Sequence, residues 1–540
     1  MVTLRVHTAK GEHSLDIRGS CSVREALDVS DLRVPAACGG VGSCGACLVR
    51  VVGGKVSPPT LAEYQKLSAE ERARGWRFAC QLRLEGEAEI ELDRPAPPSR
   101  WRSIPHEELP PCPEGEPSLE RAIYGVAVDL GTSHIRVSLL DRKRGKRIAT
   151  RWGPNPQVAW GADVLNRLSA AQTNPHRARE CSDLARGGIL QAICDMLVQE
   201  AGEVDSLLPE IGRLVVVGNT AMLALLTEEG GDALLDPEHW QRPIDYRPHD
   251  PEAWRARWPL PNADLLLPPP LAGFVGSDLL ASILATRLLE GPSGSVLLDV
   301  GTNTEIALWD GEILHVSSVP GGPAFEGAGI RFGMAAEPGA IAHVVPRPGG
   351  QGFSCEILGG PPAHGFCGSG LISGVAVLRS AGILKSSGRF AFKVGPEGHV
   401  LDPTLPRSAI TARAVDAVQR GKAATASAIE ELLEQAGLGW LDLRRFCVCG
   451  AFGKHLDIDQ AQAVGLLPTL DGNTIELCSN AALSGCELGL LAADMEAMFR
   501  GVAGKSIVTN MSCIPAWEER YIAHLRLAPI PCAPCPRGAT

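Results

Sequence analysis

The chain of 540 residues has no stretch of 18 apolar residues, so no membrane-spanning helix is expected. It has no excess of positive charge: 51 Lys and Arg stand against 62 Asp and Glu, a net charge of −11. That balance argues against nucleic acid as the main partner. No basic segment followed by an apolar core opens the sequence, and a signal peptide is not expected. No G-x-G-x-x-G follows a strand-like run, which removes the dinucleotide-binding fingerprint. The rest is ordinary for a globular protein, with 45% hydrophobic and 21% charged residues. The length predicts about three or four domains. The 17 cysteines fit a reducing cytoplasm, as free thiols or metal ligands.

Four of those cysteines share a pattern. Cys38, Cys44 and Cys47 lie in ACGGVGSCGACLVRVVGG, spaced C-x5-C-x2-C, and Cys80 follows in GWRFACQ. Thiolates so spaced hold a [2Fe–2S] cluster, close to the plant-type C-x4-C-x2-C…C run. Gly39, Gly40, Gly42 and Gly45 between them allow the tight turns that a backbone wrapping a cluster must make. A zinc knuckle would carry two short C-x(2–4)-C pairs, and Cys80 stands alone. Around the cysteines, Val2–Thr8 and Leu15–Arg18 read as a hairpin with Lys10-Gly11 at the turn, and Val23–Asp28 as a short helix. Cys47–Val52 and Glu87–Leu92 read as strands. That order predicts a β-grasp ferredoxin-like domain over residues 1–93. Arg72, Arg74 and Arg77 near the fourth cysteine read either as a surface that steers an acidic donor or as a solvated face.

Residues 94–121 are proline-rich and predict an extended, semi-rigid linker on which the cluster domain could swing. Beyond it the chain repeats itself. YGVAVDLGTSHIRVSLLD (124–141) matches SVLLDVGTNTEIALWD (295–310). RLVVVGNTAMLALL (213–226) matches RRFCVCGAFGKHLDI (444–458). LLLPPPLAGFVGSDLLASILATRL (265–288) matches TIELCSNAALSGCELGLLAADM (474–495). Two α/β halves, 122–293 and 294–500, and a C-terminal extension, 501–540, are expected.

Each half contains a hairpin with Asp-x-Gly-Thr at its tip. The glycine and the N–H groups after it can cradle phosphate oxygens, and the threonine hydroxyl can donate to them. The preceding Asp129 or Asp299 can orient Mg2+ through water, since Mg2+ keeps several waters and takes few carboxylates. One such hairpin is a weak signal. Two in corresponding places of a duplication are specific, and they predict triphosphate binding with catalysis by positioning and charge neutralisation.

Here the chain resembles the actin-like ATPase superfamily. The resemblance implies two related subdomains with ATP between them. It implies phosphate loops at Asp129, Gly131, Thr132 and Ser133 and at Asp299, Gly301, Thr302 and Asn303. A connecting segment is implied at Gly368, Ser369 and Gly370, and an adenosine loop at Gly450, Ala451, Phe452 and Gly453. The whole chain resembles the ATP-dependent reductive activators of corrinoid proteins, through NPQVAWGADVLNRL, VVVGNTAM, LPPPLAGFVGSD, LLDVGTNTEI, GGPAFEGA, CGSGLI and CGAFGKHLD together with the cluster loop. That implies electron transfer from the [2Fe–2S] cluster to cob(II)alamin on a corrinoid protein, with ATP and Mg2+ driving the step. An upstream low-potential electron donor is implied as well, and a homodimer stays open. A redox-regulated small-molecule kinase would need a catalytic base aimed at a bound hydroxyl, and none is evident. A nucleotide-dependent switch that senses redox state is the remaining alternative. Cys447 and Cys449 alternate on a strand and read as core. Cys532 and Cys535 in PCAPC lack a second C-x-x-C pair.

Overall fold

The computed structural model describes residues 2–530 except 9–10, 18–20, 29, 31, 33, 35–41, 43–46, 93–100, 105–108, 113–121, 162–163, 202–203, 205, 237–238, 328–329, 350–351, 406, 451 and 453–454. The first sheet is built from β1 (Val2–Thr8), β2 (Gly11–Ile17), β3 (Leu48–Val56), β4 (Trp76–Phe78) and β5 (Leu84–Leu92), in the order β2-β1-β5-β3-β4. β1 and β5 run parallel and the other pairs antiparallel. Alternate residues of the central strands, Leu4 and Val6 with Ala88, Ile90 and Leu92, share one core. The helix Val23–Asp28 adds Val23, Ala26 and Leu27 to it. This is the β-grasp arrangement the sequence predicts.

The duplication is visible strand by strand. β6 (Tyr124–Leu130), β7 (His134–Asp141), β8 (Lys146–Pro154), β9 (Ile211–Gly218) and β10 (Asp264–Leu266) form a sheet in the order β10-β9-β6-β7-β8. The second half opens with β11 (Ser295–Val300), β12 (Thr304–Trp309) and β13 (Leu314–Val319). A three-stranded sheet of β14 (Ala340–Pro346), β15 (Phe353–Ile357) and β16 (Gly365–Phe366) follows, then a short ribbon of β17 (His399–Val400) and β18 (Ala409–Ile410). β19 (Arg445–Gly450), β20 (Ile475–Leu477) and β21 (Ser506–Val508) complete a sheet ordered β20-β19-β11-β12-β13-β21. The order 10-9-6-7-8 is thus repeated as 20-19-11-12-13. The sense of every pairing is repeated too: hairpin antiparallel, then two parallel neighbours. β6, β9 and β11 are nearly continuous apolar runs, as strands covered on both faces must be.

The chain divides into two compact units. One holds Met1–Asp236, Ile244–Pro269 and Ala482–Met498; the other holds Pro237–Pro243, Pro270–Ala481 and Phe499–Thr540. The helix Ser277–Ala285 follows β10 in sequence yet packs on β11 in the second unit. The helix Ala481–Leu491 follows β20, yet from Ala482 it belongs to the first unit. There Cys486 Sγ lies 3.5 Å from the Val128 carbonyl and 3.4 Å from that of Val215. Sequence order and spatial membership part at these two helices.

Within the proline-rich stretch, Trp101 and Ile104 are buried. Arg102 exchanges backbone hydrogen bonds with Trp152 of β8 at 2.8 and 2.9 Å. A Cβ on Gly153 would lie 2.6 Å from the Trp101 ring, so a glycine is what admits the indole. Apolar burial fastens this part of the stretch to β8, where its prolines alone predict a solvated spacer. Among the described residues no helix is long and apolar enough to cross a membrane.

Candidate functional sites

Cys47 immediately precedes β3, and Cys80 follows β4 after one intervening residue, Ala79. Antiparallel pairing of Leu48 with Phe78 brings the two strand ends together. The Ala79 N–H donates to the Cys47 carbonyl at 2.8 Å. Both cysteines are buried. Cys38 and Cys44 lie outside the described residues. Gly42, between them in sequence, has φ +79°, and a Cβ there would come within 2.9 Å of Ala62 Cβ and 3.0 Å of Gln81. Gly42 is thus pressed against the helix Leu61–Lys66 and the residue after Cys80, in a cradle a side chain would fill. These residues fit a [2Fe–2S] cluster.

A buried ion pair fixes this corner. Glu63 sits on the helix Leu61–Lys66 with no solvent exposure, and Arg77 of β4 is 5% exposed. Arg77 Nε and Nη2 donate to the two Glu63 oxygens at 2.8 and 3.1 Å, and Arg77 also donates to the Ser57 and Pro58 carbonyls. Glu63 accepts further bonds from the Thr60 and Phe78 N–H groups. Burial pushes the Glu63 carboxyl up, but the hydrogen bonds from Arg77, Thr60 and Phe78 outweigh it and hold it below the usual range. Arg77 is therefore neither a steering residue nor part of a solvated face. Arg74 is exposed and pairs with Glu70, and Arg72 lies 4.5 Å over the Tyr64 ring.

In the first Asp-x-Gly-Thr hairpin, residues 131–133 are held from three sides. Asn155 Nδ2 donates to the Gly131 carbonyl at 2.9 Å, and the Asn155 N–H donates to the Ser133 carbonyl at 2.9 Å. Arg167, 1% exposed, donates from Nη1 to the Thr132 carbonyl at 2.8 Å. Asn219 Nδ2 donates to Thr132 Oγ1 at 3.0 Å while its own oxygen caps the helix Thr220–Thr227. The stretches NPQVAWGADVLNRL and VVVGNTAM thus supply the loop's supports. Asp129 is buried, and its cross-strand neighbour is Arg136, 3.3 Å away. Burial pushes its carboxyl up, and Arg136 draws it partly back.

The second hairpin is built differently. Asp299 pairs across the strands with Glu305, a carboxylate in place of the arginine. Burial, then the charges of Asp278 and Asp299, push the Glu305 carboxyl well above its usual range. Ser282 Oγ donates to Asp299 at 3.2 Å and Ser318 Oγ donates to Glu305 at 3.1 Å. Thr302 Oγ1 donates to Glu326 at 2.7 Å, so its proton is committed to a carboxylate. The Gly322 N–H closes on the Thr302 carbonyl. Gly301 and Asn303 complete the tip, where a Cβ on Gly301 would sit 3.1 Å from the Asn303 carbonyl. Gly450, at φ +85°, touches this corner: a Cβ there would lie 2.5 Å from Asp299 Oδ1.

Gly368, Ser369 and Gly370 open the helix Gly368–Ser380 and are buried. A Cβ on Gly368 would lie 2.0 Å from the Phe325 carbonyl, and one on Gly370 would lie 1.8 Å from that of Ile341. Ser369 Oγ donates to the Phe452 carbonyl at 3.4 Å, and the Phe452 ring packs 5.4 Å from Phe325. Ala451 and Gly453 lie outside the described residues. The sequence gives no sign of Arg136, Glu305 or Glu63 as site residues. The only trace is their place in strands and helices that flank a motif.

A ferredoxin-type cluster domain joined to a duplicated actin-like ATPase fold defines the class as an ATP-dependent electron carrier. The domain described as "2Fe-2S iron-sulfur cluster binding domain" matches residues 8–85, "RACo middle region" matches 124–290, and "C-terminal domain of RACo the ASKHA domain" matches 293–537. The corrinoid activation enzyme RamQ of Eubacterium limosum is 28% identical over 438 residues, 75% of this chain and 70% of that protein. The [Co(II) methylated amine-specific corrinoid protein] reductase of Methanosarcina barkeri is 30% identical over 380 residues, 64% of this chain and 66% of that protein. The solved reductive activator for corrinoid, iron–sulfur protein superposes with a TM-score of 0.65 at 26% identity, covering 97% of this chain and 98% of that one. The chain belongs to the family of reductive activators of corrinoid proteins.

Proposed function

We propose that this protein reactivates a corrinoid protein, passing one electron from a [2Fe–2S] cluster to cob(II)alamin to regenerate cob(I)alamin, with ATP hydrolysis driving the transfer. The observation that carries the reading is the presence, on one chain, of two buried cysteines locked in register at a glycine cradle and two Asp-x-Gly-Thr hairpins in corresponding places of a repeated sheet. The cluster, when bound, supplies a one-electron donor of low potential. Cys38, Cys44, Cys47 and Cys80 are its ligands in this reading, and Glu63 with Arg77 holds the corner that presents Cys80.

In the same reading Gly131, Thr132 and Ser133 and Gly301, Thr302 and Asn303 bind phosphate. Gly368, Ser369 and Gly370 and the 450–453 loop frame the nucleotide. Asp299 is the group that orients Mg2+, because it faces the carboxyl of Glu305 across the strands where Asp129 faces an arginine. Asp129 carries its compensating cation already and keeps the first hairpin in place. Thr132 accepts from Asn219, so its hydroxyl hydrogen is available to a phosphate oxygen. An upstream low-potential electron donor and a cytoplasmic setting belong to this reading. So does the division into a cluster domain (1–93), linker (94–121), two halves (122–293 and 294–500) and extension (501–540).

The test is anaerobic. The reduced protein is mixed with a corrinoid protein in the cob(II) state, and the optical spectrum is followed with and without Mg-ATP. Cob(I) absorption that grows only with ATP is expected. A reducible cluster and intact ATP hydrolysis with no cob(I) signal, across corrinoid proteins of methylamine and other methyl-transfer systems, would overturn the proposal.

A further inference from the structure

Parallel pairing of β19 and β20 gathers sulfur at one place in the second unit. Cys447 lies directly opposite Glu476, and Val448 opposite Leu477. The Cys478 N–H donates to the Val448 carbonyl at 2.8 Å, which sets Cys478 beside Cys449. Cys447 and Cys449 are two apart on one strand and share a face. The ligand atoms of Cys447, Glu476 and Cys478 all lie within 4.8 Å of one another, with Cys447 Sγ 3.8 Å from Glu476 Oε2. As a strand sequence, Cys-Val-Cys reads as core. The third thiol and the carboxylate, about 30 residues on, are what change its chemistry.

We infer that Cys447, Glu476 and Cys478 form a binding site for a thiophilic divalent cation of the zinc class, bracing β19 to β20, with Cys449 next to them on the same strand face. A tetrahedral site with Zn–S near 2.3 Å needs ligand atoms about 3.8 Å apart, so the observed group requires only slight closure. Two sulfurs and one carboxylate supply three ligands, and Cys449, two residues along the same face, is the residue placed to close the fourth position of a structural ion. Thiol protons still held by the ligands are released to solvent on binding. Arg445 donates to both Glu476 oxygens at 2.8 Å. It orients the carboxylate and offsets the negative charge of the ligand set. Cys447 and Cys449 are buried, whereas Glu476 and Cys478 face outward and give the ion its way in. Cys449 is in register with Asp299, so the brace borders the second nucleotide hairpin.

The full chain is used with its iron–sulfur cluster loaded and iron quantified, which keeps zinc off the N-terminal cysteines. Equilibrium dialysis against buffered Zn2+ is expected to leave one zinc ion per chain. The Cys447→Ser/Cys478→Ala variant should lose it, and Cys513→Ala, an exposed thiol, should keep it. Arg445→Gln, which disturbs orientation only, should weaken binding roughly 10-fold. Zinc retained by the double variant, or none bound by the unaltered chain, would overturn the inference. So would a disulfide between Cys478 and either neighbour in anaerobically purified protein. Should the double variant fail to fold, the unaltered chain loaded with 113Cd decides the matter: a cadmium resonance in the sulfur-rich range supports the site, and one in the oxygen range refutes it.

Discussion

The two repeated hairpins share a strand order, a pairing sense and an Asp-x-Gly-Thr tip, yet their electrostatics are opposite. Across the strands from Asp129 stands Arg136; across from Asp299 stands Glu305. One half neutralises its aspartate internally, and the other concentrates carboxylates. The threonines diverge as well, since Thr132 accepts from Asn219 while Thr302 donates to Glu326. A duplicated fold can therefore keep geometry in both copies and assign charge to one. Only a hairpin with surplus negative charge gains from a bound cation.

The largest test of that contrast is Asp299→Asn against Asp129→Asn. The first should lower Mg-ATP hydrolysis by about 100- to 1000-fold, the loss typical of a removed transition-state electrostatic contact. The second should cost nearer 10-fold, read as phosphate release under the same conditions. Equal losses would erase the assigned asymmetry. Next, Arg136→Gln leaves the buried Asp129 without its cation and should destabilise the fold by about 1–3 kcal/mol, seen in the urea midpoint. Adding Asp129→Asn to that variant should restore most of it.

Glu305→Gln should act in the reverse sense. The folded state raises the Glu305 pKa, so its contribution is fully present below the unfolded value and is lost as pH rises through the folded one. Removing the titrating carboxyl should therefore raise the neutral-pH urea midpoint and flatten its slope with pH from about 4 upward. A midpoint that falls at neutral pH would show that Glu305 is ionised and paired. The smallest effect is local. Asn219→Ala removes a helix cap and should cost about 1 kcal/mol, with a higher KM for ATP because Thr132 loses its partner.

Much of this was legible in the sequence where a short motif marks the turn. The helix at Val23–Asp28 and the strand at Val2–Thr8 follow from pattern alone. The three repeat pairs predict β6–β7 with β11–β12, β9 with β19 and β10 with β20. β8 and β13 carry no matching motif and emerge only from pairing. Arg136 and Glu305 could not be read, because cross-strand register decides what an aspartate faces. Arg77 looked like surface, since its partner Glu63 is 14 positions away on a six-residue helix. The helix that joins the other unit after β10 or β20 also escapes a reading that follows chain order.

Gly368 and Gly370 carry a consequence for mutational scanning. Both belong to a glycine- and serine-rich turn at a helix start, and a substitution at either would be scored as a nucleotide-binding defect if ATP affinity alone were measured. Yet a single added carbon would overlap the Phe325 or Ile341 carbonyl before any ligand arrived. Loss of folded protein and loss of affinity would be superimposed in one number. A scan of this motif therefore needs an abundance or melting readout beside the activity readout, so that a shortage of room is not recorded as a chemical role.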